Sequence, residues 1–247
     1  EIPNPTDDNR TRTQPTAFWA ALENTGQEAM EITLLHQQKG LGKLTHLTGK
    51  EPTSPRLLES IPRQAYIHLA THGFFEPEWL PSQEDRLEFK ENGEALLEVR
   101  RKAVNLMPGY LSGLVMTGAN LSAPLGSLDS YLSAEELALS DLSQCRLAVL
   151  SACETSLGSE KQGEGLMSLR RSFHLAGAET VVSSLWQVKD ESTRELMTAF
   201  YRGMWEGGLS RSDALTRARR KLIKNLRRRG VDSPKSWGPF ILSGDWR

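Results

Sequence analysis

The chain has 247 residues, of which 38% are hydrophobic and 25% charged, with a formal net charge of −1. These values are typical of a globular protein with one large or two small domains, and they exclude a global attraction to nucleic acid or acidic membranes. Cys145 and Cys153 are the two cysteines, too few for a disulfide framework or a four-thiolate metal site. No secretory signal and no membrane-length apolar run is visible, which predicts a reducing cytoplasmic location.

The first quarter of the chain carries weak structural signals. Residues 1–16 are polar and rich in proline and threonine, which predicts a disordered lead. Amphipathic patches over residues 18–22 and 28–37 predict two helices, and residues 44–47 form a short strand candidate. Residues 54–61 predict a further helix, with Ser54 as the cap and a proline in the first turn.

The remainder alternates strand-like and helix-like segments. The predicted strands cover residues 65–71, 113–118, 146–152, 180–186 and 240–243. A capping box at Ser133, a glycine at position 177 and capping residues Asp190 and Ser210 mark the ends of helices. Strands separated by helices of this length predict a mainly parallel sheet with helices on both faces, an α/β fold.

Residues 76–112 interrupt this alternation. The segment is densely charged and lacks a clear helix or strand period. It is predicted to be an insertion between two strands, a mobile excursion near the active-site edge that serves as a lid or a partner-binding element.

One candidate catalytic residue is His72, which follows a predicted strand and precedes Gly73. A histidine can serve as general base and then general acid, because its ordinary pKa lies near neutrality. The glycine is expected to allow a sharp turn and to aim its N–H at a developing oxyanion. Taken alone, the histidine is better explained as one that satisfies a buried backbone group. His68 and His72 form H-x-x-x-H without the glutamate of a zincin, so no metal site is predicted.

The second candidate is Cys153, which follows the buried run over residues 146–152. A thiol at that position can be activated by a neighbouring imidazolium, although a free cysteine is most often a small buried hydrophobe. Cys145 precedes the same run and is assigned to packing. Active sites of parallel sheets lie beyond the carboxyl ends of the strands, so His72 and Cys153 are expected side by side.

These motifs and their order give a resemblance to a known family. The chain from about residue 44 to 247 resembles the CHAT family of caspase-like proteases, which is related to caspases and separases. The resemblance rests on IHLATHG at residues 67–73 and LSACET at residues 150–155. It continues through blocks at residues 163–165, 175–178, 184–190 and 237–240.

The resemblance implies a three-layer caspase-like sandwich and a cysteine endopeptidase with a His72–Cys153 dyad. It further implies an oxyanion hole formed by the backbone N–H groups of Gly73 and Cys153, with no metal or organic cofactor. Family members have more sequence before the histidine block, so residues 1–43 are interpreted as the remnant of a truncated first half. Residues 44–247 would then be the protease core.

The family also suggests partners. The resemblance implies cleavage of one or a few specific proteins under the control of a sensor partner, which can contain TPR repeats. The implied context is bacterial signalling or defence. Two alternatives stay open: a CHAT-like scaffold in which the dyad is dispensable, and a thiol hydrolase of small esters or amides.

Three residues are candidates for substrate binding. Related metacaspases bind a basic P1 side chain with an acidic residue two places before the nucleophile, where this chain has neutral Ser151. A neutral or apolar P1 residue is therefore favoured. Asp190 echoes an acidic segment of separases but is equally well explained as a helix cap. Trp186 can line a substrate pocket, although a tryptophan ending a buried strand more often belongs to the core.

The helix over residues 217–229 concentrates eight basic residues. An acidic partner or nucleic acid could bind there. Because leucines and an isoleucine already define a buried side, a solvated helix face is favoured, with partner docking second and direct nucleic-acid binding not expected.

Overall fold

A computed structural model describes residues 19–75, 112–120, 130–151, 153–154, 162–186, 190–231 and 233–247. The strands are β1 Tyr66–Leu69, β2 His72–Phe75, β3 Ser112–Val115, β4 Tyr131–Ser133, β5 Leu147–Leu150, β6 Cys153–Glu154, β7 Thr180–Ser184 and β8 Phe240–Gly244. The helices are α1 Thr25–Gln38, α2 Ser54–Ser60, α3 Ala134–Ala138, α4 Gln162–Leu175, α5 Asp190–Trp205, α6 Arg211–Arg228 and α7 Pro234–Trp237.

A large sheet forms the centre of the molecule, with the strand order β1-β5-β7-β8. The first three strands are parallel, and β8 pairs antiparallel with β7 at one edge. All four residues of β5 are fully buried. A strand covered on both faces has no polar side, which explains why its sequence is a nearly continuous apolar run.

Successive residues of β5 point into two different cores, as the pleat of a strand requires. Ala148 and Leu150 pack in the core that contains Leu57 of α2, together with side chains of α3 and α4. Leu147 and Val149 pack in the opposite core with side chains of α1, α5 and α6. The sheet therefore lies between two layers of helices, which confirms the predicted three-layer α/β architecture.

A second, smaller sheet has the order β4-β3-β2-β6. Strand β2 begins three residues after the end of β1, and β6 begins three residues after the end of β5. Strands β2 and β6 pair parallel to each other. The other two pairings are antiparallel. Trp19 and Phe74 pack with Val115 in a small core of their own.

Several predictions about the first quarter of the chain are wrong. Residues 19–22 form no helix, and residues 44–47 form no strand. Glycines with left-handed backbone at positions 40, 42 and 49 bracket the second segment, and Leu44 is exposed. The apolar run is thus too short and too exposed to join a sheet. Thr53, not Ser54, caps α2, because its side chain accepts the N–H of Arg56.

Other helix-end predictions are confirmed. Ser133 and Glu136 form a reciprocal capping box at the start of α3. The Ser210 hydroxyl accepts the N–H of Asp213 at the start of α6. Gly177, two residues beyond α4, has φ of 111°, a backbone conformation that favours glycine. The predicted insertion lies outside the described residues except for Ser112, which begins β3.

Candidate active site

The two candidate catalytic residues lie opposite each other on neighbouring strands. His72 begins β2 and Cys153 begins β6, and the two are register partners in a parallel pairing. The cause is the large sheet, where Leu69 and Leu150 are also register partners. His72 lies three residues after Leu69, and Cys153 lies three residues after Leu150. The register of the large sheet therefore continues into the small one. Both residues were predicted to follow a strand; each in fact begins a second strand.

The His72 ring is buried, with 7% of the residue exposed. Its Nε2 lies 2.7 Å from the carbonyl oxygen of Ala20. A carbonyl oxygen only accepts hydrogen bonds, so Nε2 carries the proton and Nδ1 is the basic nitrogen of the neutral ring. His72 therefore satisfies a buried backbone group and is also the register partner of the candidate nucleophile. The two interpretations of this residue are compatible.

Trp19 and Asn120 hold the segment that carries Ala20. The Trp19 N–H donates to the Asn120 side-chain oxygen at 2.8 Å, and the Asn120 amide donates back to the Trp19 carbonyl at 2.7 Å. The Trp19 indole N–H reaches the Tyr131 hydroxyl at 3.4 Å. Its ring also lies against His72, with centroids 5.4 Å apart. We refer to the pair Trp19 and Asn120 as the clamp.

The clamp and Ala20 were not predicted from the sequence. A main-chain carbonyl has no side-chain signature, and Asn120 lies in a turn where asparagine is common for local reasons. The tryptophan was included in an amphipathic patch, which gave no indication of a polar contact with position 120.

Gly73 does not make the expected sharp turn. It lies inside β2, opposite Leu114 on one side and Glu154 on the other, and its φ is not positive. A Cβ added there would lie 3.6 Å from the carbonyl oxygen of Gly113, an ordinary contact. The steric requirement for glycine falls on Gly113, where a Cβ would overlap the carbonyl oxygen of Leu132.

Ser151 lies between β5 and the candidate nucleophile. It is 3% exposed, and its N–H donates to the Leu69 carbonyl at 2.9 Å. Within the described ranges its hydroxyl oxygen has no hydrogen-bond partner. The position carries no charge, and its role in substrate binding stays a prediction.

Trp186 follows the carboxyl end of β7, at the same edge of the large sheet as His72 and Cys153. It is 36% exposed, and its indole N–H donates to the Lys235 carbonyl at 2.9 Å. The interpretation of Trp186 as a core residue is therefore wrong. Asp190 is the first residue of α5; its side chain and that of Cys153 lie outside the described part of the structure, so its cap or pocket role stays a prediction.

Cys145 is buried in the core, with 1% of the residue exposed. Burial raises the pKa of its thiol to about 11. The thiol is therefore neutral near pH 7 and unsuited to nucleophilic attack, since the thiolate is the reactive form. This agrees with the packing role predicted from the sequence.

The basic helix α6 has one apolar side, on which Leu222 and Leu226 are buried. Arg229, which follows the helix, forms ion pairs with Glu191 and Glu195 of α5. Part of the basic surface is thus neutralised within the fold. Within the described ranges, no helix has the length and apolarity needed to cross a bilayer, and no group of three acidic, histidine or cysteine residues could hold a metal ion.

Comparison with known families decides the relationship. The profile of the CHAT domain matches residues 2–245. The chain belongs to the CHAT domain family. The CHAT match extends ahead of residue 44 and takes in Trp19, Ala20 and helix α1, which lies on the β1-β5-β7 sheet.

Two curated relatives contain a region similar to this CHAT chain. Tetratricopeptide repeat protein 28 of Homo sapiens is 32% identical over 99 residues, and that of Mus musculus is 31% identical over 99 residues. The alignment covers 40% of this chain and 4% of each relative. The similarity is therefore confined to a small part of two much longer proteins.

Proposed function

We propose that this CHAT chain is a cysteine endopeptidase in which Cys153 is the nucleophile and His72 its base. The observation that supports this most strongly is the backbone register, which brings Cys153 opposite a buried histidine whose Nε2 is already hydrogen-bonded. The caspase-like character of the CHAT family adds weight to the same assignment.

The proposed reaction begins with transfer of the thiol proton from Cys153 to Nδ1 of His72. The thiolate attacks the scissile carbonyl carbon, and the backbone N–H groups of Gly73 and Cys153 bind the resulting oxyanion. His72 gives its proton to the leaving amine, which departs and leaves a thioester on Cys153. Water then hydrolyses the thioester, with His72 accepting a proton from that water and returning it to the thiol.

We expect the substrate to carry a neutral or apolar P1 residue. Ser151 is neutral and two places before Cys153, so that position offers no carboxylate to a basic P1 side chain. Trp186 is partly exposed at the same edge of the sheet and can supply an apolar contact. Asp190, at the start of α5, is the acidic residue that would favour a basic P1 side chain instead.

We also propose that a cytoplasmic regulatory or sensor protein controls access to specific protein substrates. The curated relatives are named for tetratricopeptide repeats, which supports a TPR-containing regulator.

The test compares the new protein N-termini produced by the wild type, Cys153→Ala and the matched variant Cys145→Ala. The experiment uses a lysate that supplies substrate and regulator. Cys153→Ala is expected to lose cleavage entirely, and Cys145→Ala is expected to retain it because its thiol is neutral and buried. Cleavage by Cys153→Ala would overturn the proposal. Labelling of Cys153 by a thiol-reactive ester together with no peptide cleavage would favour a small-molecule hydrolase, and neither reaction would favour a scaffold.

A further inference from the structure

We infer that Asn120 is a positioning residue for His72, acting through the main chain of residues 19–20. This inference rests on the proposed dyad and extends it to a residue that is far along the chain from both proposed catalytic positions. The clamp holds Trp19, the next residue presents its carbonyl to Nε2, and that contact decides which nitrogen of His72 is the base.

The clamp requires an amide side chain. Asn120 accepts from the Trp19 N–H and donates to the Trp19 carbonyl, so it engages the peptide groups on both sides of one Cα. An amide offers a donor and an acceptor together, whereas a carboxylate only accepts and a methyl group does neither. With both neighbouring peptide planes fixed, the carbonyl of Ala20 lies only one peptide further along the chain.

Outside the clamp, the segment is held by packing of the Trp19 ring with Phe74 and Val115 and by contacts of the Leu22 carbonyl with Thr25. Residues 19–22 belong to no helix or strand, so no ladder of backbone hydrogen bonds fixes them. The polar contacts of Trp19 that the structure describes are those with Asn120 and with Tyr131. Beyond the segment, α1 is joined to the large sheet, where buried Glu28 lies 2.9 Å from Nε2 of His68. Ala20 thus lies between two attached residues: Trp19, which contacts the small sheet through Tyr131, and Glu28, which contacts the large sheet through His68.

The chemistry explains why the orientation matters. The Ala20 carbonyl favours the tautomer with the proton on Nε2 and stabilises the imidazolium that forms when Nδ1 takes the thiol proton. If the carbonyl moves away, the buried Nε2–H loses this acceptor, and the contact no longer favours the tautomer with the proton on Nε2. The thiolate of Cys153 would then be less favoured at neutral pH.

The experiment measures the rate at which iodoacetamide alkylates Cys153, mapped by peptide mass spectrometry, between pH 5 and pH 10. We expect Asn120→Ala to lower the rate at pH 6 by roughly 10-fold and to move the half-maximal rate upward by about 1 pH unit. His72→Ala should move it at least as far. Asn24→Ala is the matched control, because Asn24 lies between Ala20 and helix α1 and its side chain makes no capping hydrogen bond.

A second variant keeps the test decisive if Asn120→Ala folds poorly. Asn120→Asp retains an acceptor for the Trp19 N–H and loses only the donor to the Trp19 carbonyl. The added negative charge favours the imidazolium but disfavours the thiolate, so its own effect is measured by placing the same charge at the control position, Asn24→Asp. An upward movement in Asn120→Asp that exceeds the movement in Asn24→Asp supports positioning, and an equal or smaller movement overturns it.

The outcomes separate this inference from the proposed function. If His72→Ala moves the profile and the Asn120 variants lower only the melting temperature, Asn120 is structural and the dyad stands. If His72→Ala leaves the profile unchanged, the dyad fails and the positioning role fails with it. A movement caused equally by Asn24→Ala would also overturn the inference, because it would show a general loosening of the segment.

Discussion

The two sheets of this CHAT domain are built on different interactions. The large sheet is held by apolar burial: every residue of β5 is apolar and fully buried, and each face of the sheet packs against helices. The small sheet has strands of two to four residues, and the segment against it is held by the clamp. The candidate catalytic residues begin two of these short strands.

This difference indicates that one region of the fold provides stability and the other provides orientation. Apolar burial is nondirectional and tolerates small shifts, whereas hydrogen bonds fix orientation. We therefore expect the large sheet to supply stability and set the register, and the small sheet and clamp to orient His72. Damage to the two regions should be distinguishable by what is lost.

The largest expected effect is on the large sheet. Phe173→Ala should lower the free energy of unfolding by about 3–5 kcal/mol, because Phe173 of α4 is fully buried against that sheet and its loss leaves a cavity. Leu175→Ala in the same helix should change it by less than about 0.5 kcal/mol, since Leu175 is 64% exposed. Urea denaturation measures both values. Equal losses would contradict the assignment of stability to apolar burial.

A smaller effect is expected in the small sheet. Gly113→Ala should cost about 1–3 kcal/mol, because the new methyl group would overlap the Leu132 carbonyl oxygen and lie 2.8 Å from the Phe74 ring. Gly73→Ala should cost less than about 1 kcal/mol, since its nearest contact is 3.6 Å away. Urea denaturation compares the two stabilities, and hydrogen exchange of the β2 and β3 amides shows whether the loss is local. A larger cost at Gly73 would refute this comparison.

The smallest expected effect appears at high pH and concerns Cys145. Burial raises the pKa of this thiol from 9.0 to about 11 in the folded chain, so between those values the unfolded chain releases the proton and the folded chain keeps it. Stability is therefore fully present below pH 9 and falls as the pH rises toward 11. Because Cys145→Ala has no thiol to ionise, we expect the variant to lose roughly 1–2 kcal/mol less stability than the wild type as the pH rises from 9 to 11.

Denaturant curves at pH 8, 9, 10 and 11 test the Cys145 effect. Tyrosine and lysine side chains also titrate in this range, so the quantity compared is the difference in slope between the wild type and Cys145→Ala. Identical slopes would show that the thiol ionises as readily in the folded chain as in the unfolded one.

The strands of the large sheet and several helix ends were predictable from the sequence because their signals are local, whereas β2, β4 and β6 of the small sheet were not predicted. The apolar run over residues 146–152 predicted β5, and the capping box at Ser133 predicted the start of α3. The segment over residues 44–47 misled because a few apolar residues define a strand only where a sheet edge is available to pair with them. Trp186 misled because the carboxyl end of a buried strand is itself exposed.

The sequence by itself determined the α/β class, the CHAT resemblance and the two residues, His72 and Cys153, that a parallel sheet would bring to one edge. Only the tertiary structure decided that they are register partners, that the carbonyl of Ala20 accepts from His72, and that Asn120 holds the segment. Apolar periodicity depends on residues that are close together in the sequence, so it can be recognised along the chain. A hydrogen bond to a main-chain carbonyl is independent of the side chain at that position, and it exists only once distant segments have been packed together.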